Sequence, residues 1–300
     1  MKQLNYLLFL LVCLVTSIPS FAQFTINGRS VIYDKVSDTY MVSIPENAFG
    51  TDYEASIALD ATAGWSNLSI EGTDIADNYT FNQVEGNKIY KIHAQEGDKE
   101  INTQLTFTFL PLLVMEGTFG YDYAQGNISL LSPDAAEPTN SFAKVKWRGG
   151  TTNTADKHKR NYKIKTLNEK GKKQEISLLG MREDNNWILD AGQIDLFRLR
   201  NRIATEIWND FATKPYYASK EPKAKSGVTG KVVEVILNNE YRGIYSLTEA
   251  MDRKELKLKK YDDENQKFHG QLWKVSSWDK ATFWDIDKDY DNTQETWHAF

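Results

Sequence analysis

A basic hairpin near the middle of the sequence constrains the fold more than any other segment. Two stretches of alternating residues flank a Gly-Gly-Thr-Thr loop at residues 149–152, and such alternation is typical of strands that pack one face on a core. The apolar face would carry Ala143, Val145, Trp147, Tyr162 and Ile164, and the opposite face Lys144, Lys146, Arg148, Lys163 and Lys165. The sequence therefore predicts a two-stranded ribbon with five cations on one side.

Two interpretations of this ribbon remain open. Glycine lets a backbone come close to a ligand, and consecutive N–H groups beside Lys or Arg bind phosphate oxygens. The loop and the lysines could therefore form a nucleotide-phosphate site. The alternative is a solvated basic face with a flexible turn, because charged strand faces are commonly in contact with water alone.

Residues 1–22 predict a secretory signal peptide. A basic start is followed by an apolar run at residues 7–15 and by a small-x-small cleavage pattern that ends at Ala22. Cys13, the single cysteine, lies in the apolar run, so the mature chain can form neither a disulfide nor a thiolate metal site. We expect an exported protein without a transmembrane segment after cleavage. The net charge of −5 gives no general reason to expect a nucleic-acid partner.

The remaining sequence predicts two domains that meet near Pro111. Residues 23–111 read as short strands separated by turns, which favours an immunoglobulin-like β-sandwich that acts as a spacer or adhesion module. The predicted strands are residues 30–33, 40–44, 55–59, 88–92 and 105–109. Residues 112–300 change to a mixed α and β pattern, so the fold class is α+β. We expect the two parts to unfold as separate cooperative units.

The clearest helix is predicted from Asp195, a plausible N-cap, to Phe211. Its apolar stripe, expected to face a core, consists of Leu196, Leu199, Ile203, Ile207 and Phe211. Arg198, Arg202 and Glu206 are spaced by four on the polar side, as in a solvated row of ion pairs.

A second hairpin is predicted around the turn Asn238-Asn239, which requires positive φ angles. Glu234 interrupts its first strand, and it could face solvent or be held as an ionic partner in a cleft. A basic, helix-like segment is expected at residues 250–260.

Taken together, these segments resemble the CotH kinase family, known from spore-coat proteins and from secreted bacterial proteins. Five pieces in the family's order carry the resemblance: the loop Arg148–Thr152, the strand Lys159–Lys165, the segment Ser177–Leu189, Asp195 with Leu199-Arg200-Asn201, and the hairpin Glu234–Glu249.

The resemblance implies the N-lobe of an atypical protein kinase, with Mg²⁺ and ATP as cofactor and donor and protein Ser or Thr hydroxyls as acceptors. Lys163 or Lys165 would clamp phosphate, Glu206 would pair with that lysine, and the strand exit at residues 248–250 would hold adenine. The implied nucleotide-binding residues are Arg148, Gly149, Gly150, Thr151, Lys163, Lys165, Glu206, Thr248 and Glu249.

The sequence also departs from the family pattern. The family's catalytic and metal-binding aspartates lie in a C-lobe well after the hinge, whereas about fifty residues follow Glu249. We therefore expect an incomplete kinase without activity of its own, and we assign neither catalytic nor metal-binding residues. The acidic segment Asp285–Asp291 reads as a solvated turn, with a metal site as the alternative. The rival interpretation of the whole chain is an inactive extracellular binding or adhesion module on a kinase-like scaffold.

Overall fold

The computed structural model describes residues 21–62, 64–154, 156–267, 272–275 and 297–299. About 45% of these residues lie in strands, and the described part contains one α-helix. The strand-rich α+β class is thus confirmed, while the kinase-lobe part of the prediction stays a prediction. The predicted signal peptide lies outside the described residues, apart from the backbone of residues 21 and 22.

Nine described strands form an N-terminal sheet. They are β1 (Phe21–Ile26), β2 (Arg29–Asp34), β3 (Thr39–Ser43), β4 (Tyr53–Leu59), β5 (Trp65–Ile70), β6 (Thr73–Asp74), β7 (Asn78–Phe81), β8 (Tyr90–Glu96) and β9 (Lys99–Thr108). Their order across the sheet is β6-β5-β8-β9-β3-β2-β1-β4-β7. Phe24, Val42, Phe81 and Phe107 meet in a fully buried apolar core. The immunoglobulin-like description of this region stays a prediction.

Seven further strands close into a barrel. They are β10 (Leu112–Glu116), β11 (Ala124–Leu131), β12 (Thr139–Arg148), β13 (Asn161–Leu167), β14 (Asn186–Asp190), β15 (Gly230–Leu237) and β16 (Glu240–Glu249). β10 pairs in parallel with β15 and so closes the barrel. Val145, Ile164, Trp187 and Tyr245 fill the interior, because alternation along each strand sends one set of side chains inward.

An apolar cluster joins the N-terminal sheet to the barrel. Its buried members are Ile32, Met41, Leu112, Val114, Leu131 and Ile236. Two hydrogen bonds also connect these parts: the Tyr241 N–H donates to Asp34 Oδ1 at 3.0 Å, and the Lys35 N–H donates to Asn239 O at 2.9 Å. The turn between β2 and β3 therefore holds the hairpin between β15 and β16. Whether the two parts unfold separately stays a prediction.

Glu234 lies beside this junction and fits neither expectation for it. Its side chain is buried, and Oε1 accepts a hydrogen bond from the Tyr241 hydroxyl at 2.8 Å. Burial raises the pKa of Tyr241, and the charge of Glu234 acts in the same direction. The predicted turn at Asn238 and Asn239 is confirmed, with φ angles of 51° and 60°.

Residues 199–230 and 248–300 form a second compact unit. It contains the helix α1 (Arg200–Phe211) and the antiparallel pair β17 (Trp273–Val275) and β18 (Trp297–Ala299). Residues 250–260 form turns rather than the expected helix. Two hydrogen bonds close this turn segment: the Arg253 guanidinium donates to Leu258 O at 3.1 Å, and the Leu258 N–H donates to Arg253 O at 2.8 Å.

The prediction for α1 is wrong in two respects. The helix begins at Arg200 rather than beside Asp195, which instead accepts the Phe197 N–H at 3.1 Å in a preceding turn. Ile203 and Phe211 of the apolar stripe are 51% and 65% exposed. The buried residue of the helix is Arg202, because its guanidinium donates to Val228 O at 3.3 Å.

Candidate functional site

The basic hairpin consists of β12, β13 and the loop between them. Lys144 lies directly opposite Lys165, and Lys146 lies directly opposite Lys163. Opposed residues of an antiparallel pair share a face, and the buried Val145 and Ile164 occupy the other one. The predicted alternation is therefore confirmed. We call the outer surface formed by Lys144, Lys146, Arg148, Lys163 and Lys165 the cationic face.

Tyr123 lies against this face. The Nζ atoms of Lys146 and Lys165 lie 5.1 and 4.7 Å from the centroid of its ring. Ammonium groups at such distances are attracted to the ring electrons. Burial raises the pKa of Tyr123, so the phenol stays neutral at physiological pH. The sequence alone does not reveal a role for Tyr123, because the contact depends on the pairing of β11 with β12.

The Gly-Gly-Thr-Thr loop has a defined conformation. Gly149 has φ +113°, and a Cβ atom placed there would lie 2.2 Å from Thr152 Oγ1, so this position requires glycine. A 3₁₀ turn follows at Thr151–Asn153, and the Asn153 N–H donates to Gly150 O at 3.0 Å. The N–H groups of Gly150 and Thr152 donate to no acceptor among the described residues. The loop therefore offers backbone donors from a fixed position.

Neighbouring side chains hold the loop in place. Arg160 donates to Thr154 O at 2.6 Å, and its guanidinium lies 4.6 Å from the centroid of the Trp147 ring. The Tyr121 hydroxyl donates to Asn153 O at 3.1 Å. These contacts hold the loop at Asn153 and Thr154, next to the start of β13. Whether residues 149–152 are a flexible turn, as in the alternative interpretation, stays a prediction.

Lys159 adds a cation beside the start of β13. Its Nζ donates to Ile244 O and lies 4.2 Å from the centroid of the Tyr245 ring. Burial lowers the pKa of Lys159 to about 8, with Arg198 acting in the same direction and Asp190 opposing it. Lys159 therefore ties the hairpin to β16. The sequence alone does not reveal this role, because the partners of Lys159 are about 85 residues away in the chain.

The predicted hinge residues lie in the second unit. Glu249 is 1% exposed, and both of its carboxylate oxygens accept from Lys225 Nζ at 3.2 Å. The Thr229 N–H donates to Glu249 Oε2 at 2.8 Å, and the Glu249 N–H donates to Thr229 O at 3.0 Å. The backbone N–H of Glu249 is thus already engaged. Adenine binding at Thr248 and Glu249 stays a prediction.

A cleft of about 280 Å³ adjoins Lys225 in the same unit. It is lined by Asn209, Ala212, Lys214, Ala224, Lys225, Ser226, Gly227 and Thr229. Glu206 of α1, the predicted partner of the phosphate-clamping lysine, lies 3.2 Å from Arg202 and is largely exposed. Its pairing with Lys163 or Lys165 stays a prediction.

The described part of the chain offers no cluster of metal ligands. No group of three or more His, Cys, Asp or Glu side chains there could hold a metal ion, so these residues do not fit a Mg²⁺ site. The acidic segment Asp285–Asp291 lies outside the described residues. Within the same limits, no helix is long and apolar enough to cross a membrane.

Comparison with known proteins identifies the family. The model of the CotH kinase protein family matches residues 145–299, which is just over half of the chain and includes the hairpin from Val145 onward. No protein of curated function matches the chain. The glycine-containing loop and the Lys146–Lys163 pair therefore lie within the matched region, whereas Lys144 directly precedes it. The chain belongs to the CotH kinase protein family.

Proposed function

We propose that this chain binds ATP in a CotH-like protein kinase that transfers the γ-phosphate to Ser or Thr hydroxyls of an exported protein. The observation that carries the proposal is the glycine-containing loop at residues 149–152, which is followed by the anchored residues Asn153 and Thr154 and joins two strands with lysines on one face. Backbone N–H groups and ammonium groups are the donors that bind phosphate oxygens in other kinases.

Each part of the hairpin has a role in this proposal. Lys163 and Lys165 neutralise charge on the phosphates, and Arg148 extends the same face toward the loop. Gly149 and Gly150, with Thr151, bring the backbone close to the phosphate oxygens. Mg²⁺ would supply charge neutralisation at the β- and γ-phosphates, but the described residues do not offer its ligands.

The acceptor and the location also belong to the proposal. The family supports a protein acceptor, and the N-terminal sequence of residues 1–22 supports export. The adhesion-module interpretation becomes the conclusion if ATP does not bind to the hairpin.

The test compares ATP with adenosine by titration calorimetry of the full chain and its Lys165→Ala variant. A lost charge-assisted contact to phosphate costs about 1.5–3 kcal/mol, or roughly ten- to hundred-fold in Kd. We expect this loss for ATP alone, because adenosine has no phosphates. Lys170→Ala removes an exposed lysine elsewhere and should leave both affinities unchanged.

Equal losses for ATP and adenosine in Lys165→Ala would contradict the phosphate contact. Unchanged ATP affinity in both Lys165→Ala and Lys163→Ala would leave the hairpin a solvated ribbon. The circular dichroism spectra and melting temperatures of the variants are compared first, so that unfolding is not mistaken for lost affinity.

A further inference from the structure

The cationic face carries more positive charge than a single phosphate clamp requires. The proposed function uses Lys163 and Lys165, which leaves Lys144 and Lys146 of β12 without a role. Each of these lies directly opposite a lysine of β13. Like charges in directly opposed positions destabilise a sheet. The cationic face contains two such pairs side by side, so the sheet is destabilised by like-charge repulsion at two positions.

Two of these charges have neutral neighbours in register on the flanking strands. Gln125 of β11 lies opposite Lys144, and Asn186 of β14 lies opposite Lys165. The Lys144–Lys165 pair thus lies between uncharged side chains at its own register position.

The dimensions of the face exceed those of a triphosphate clamp. From Lys144 to Arg148 the strand advances by roughly 13–14 Å, and the row on β13 runs parallel to it at about 5 Å. A ligand that neutralises both rows must carry negative charges at short, regular intervals along such a length. A linear chain of phosphates has this property.

We propose that the cationic face binds linear polyphosphate, a chain of phosphates longer than that of ATP. The inference rests on the proposed function in that it takes Lys163 and Lys165 as phosphate contacts. Single-stranded nucleic acid fits less well, because its binding depends on bases stacked on aromatic rings. Tyr123, an aromatic ring at this face, is already in contact with the ammonium groups of Lys146 and Lys165.

The test uses the double variant Lys144→Gln/Lys146→Gln, which spares every residue assigned to ATP. Titration calorimetry measures long-chain polyphosphate, inorganic triphosphate and ATP against the full chain. We expect polyphosphate affinity to fall about ten-fold or more, because two charge-assisted contacts are lost. ATP affinity should stay within about two-fold. The matched control Lys170→Gln/Lys172→Gln removes two exposed lysines at the same spacing and should change neither.

The outcomes separate this inference from the proposed function. If polyphosphate affinity is unchanged in Lys144→Gln/Lys146→Gln while Lys165→Ala still weakens ATP, the inference is wrong and the proposed function stands. If polyphosphate binding depends on all four lysines while ATP does not bind, the inference stands and the nucleotide role fails. If an oligodeoxynucleotide binds as tightly as polyphosphate and its binding is lost in Lys144→Gln/Lys146→Gln, the ligand of the cationic face is nucleic acid and the polyphosphate inference is wrong.

Discussion

Replacing Ile32 by alanine tests whether packing couples the stability of the N-terminal sheet to that of the barrel. Ile32 is 2% exposed and belongs to β2, yet it packs in one cluster with Leu112, Val114 and Ile236 of the barrel. The substitution removes about three buried methyl or methylene groups, each worth about 0.8 kcal/mol on transfer. The cavity that remains adds to this loss, so we expect destabilisation of about 3 kcal/mol.

Hydrogen exchange followed by mass spectrometry is the appropriate assay, because it reports each strand separately. We expect Ile32→Ala to accelerate exchange in β10 and β15 as well as in β2. The control Ile57→Ala makes the same chemical change at a 5% exposed position in the core of the N-terminal sheet. When the two variants lose the same free energy of unfolding, Ile57→Ala should accelerate exchange in β10 and β15 less than Ile32→Ala does. Unchanged protection of β10 and β15 in Ile32→Ala would refute the junction and favour two independent units.

Three further predictions concern the hairpin and the junction. Lys144→Gln should increase the free energy of unfolding by about 0.2–1 kcal/mol at low salt, since it removes one like-charge pair. Urea titrations at two salt concentrations should show that this gain in stability becomes smaller as salt screens the charges. A net loss of stability would contradict the repulsion between the two lysines. Gly149→Ala should destabilise the protein by about 1–3 kcal/mol and weaken ATP binding. Gly150→Ala, with no atom within 4 Å of its Cβ position, should destabilise it less, and equal melting temperatures of the two variants would refute the steric argument. Burial acts to raise the pKa of Asp34, but hydrogen bonds from the Ser37 hydroxyl and from backbone N–H groups outweigh it and lower the pKa. The stability that Asp34 contributes is therefore present above its ordinary pKa of about 3.9 and is lost as the pH falls through the lowered value. Urea midpoints for Asp34→Asn should fall less steeply with acid than those of the unchanged chain, and parallel slopes would show that Asp34 is not responsible.

The sequence predicted the hairpin well, because strict alternation of apolar and charged residues determines which face each side chain occupies. The turn at Asn238 was also accessible, since asparagine tolerates positive φ. Strands made mainly of polar residues were harder to predict from the sequence. β6 and β7 at residues 73–81 lack an alternating apolar pattern and form only because neighbouring strands pair with them.

In the helix α1, the spacing of the apolar residues predicted the secondary structure correctly but their burial wrongly. The apolar spacing of Ile203, Ile207 and Phe211 correctly indicated a helix, but the packing of α1 is decided by the contacts of Arg202 with the loop at Val228. Tyr123 and Lys159 could not be found for another reason. Their roles depend on contacts between strands that are distant in sequence, which periodicity does not report.

The central claim is that the loop and lysines of the basic hairpin contact phosphate. The most direct measurement follows the backbone amide resonances of Gly149 and Gly150 by NMR during titration with ATP, inorganic triphosphate and adenosine. We predict that both amides shift with ATP and with triphosphate and that neither shifts with adenosine. Lys165→Ala should require higher ligand concentrations for the same shifts. Glycine amides that stay fixed while ATP shifts resonances elsewhere would contradict the account.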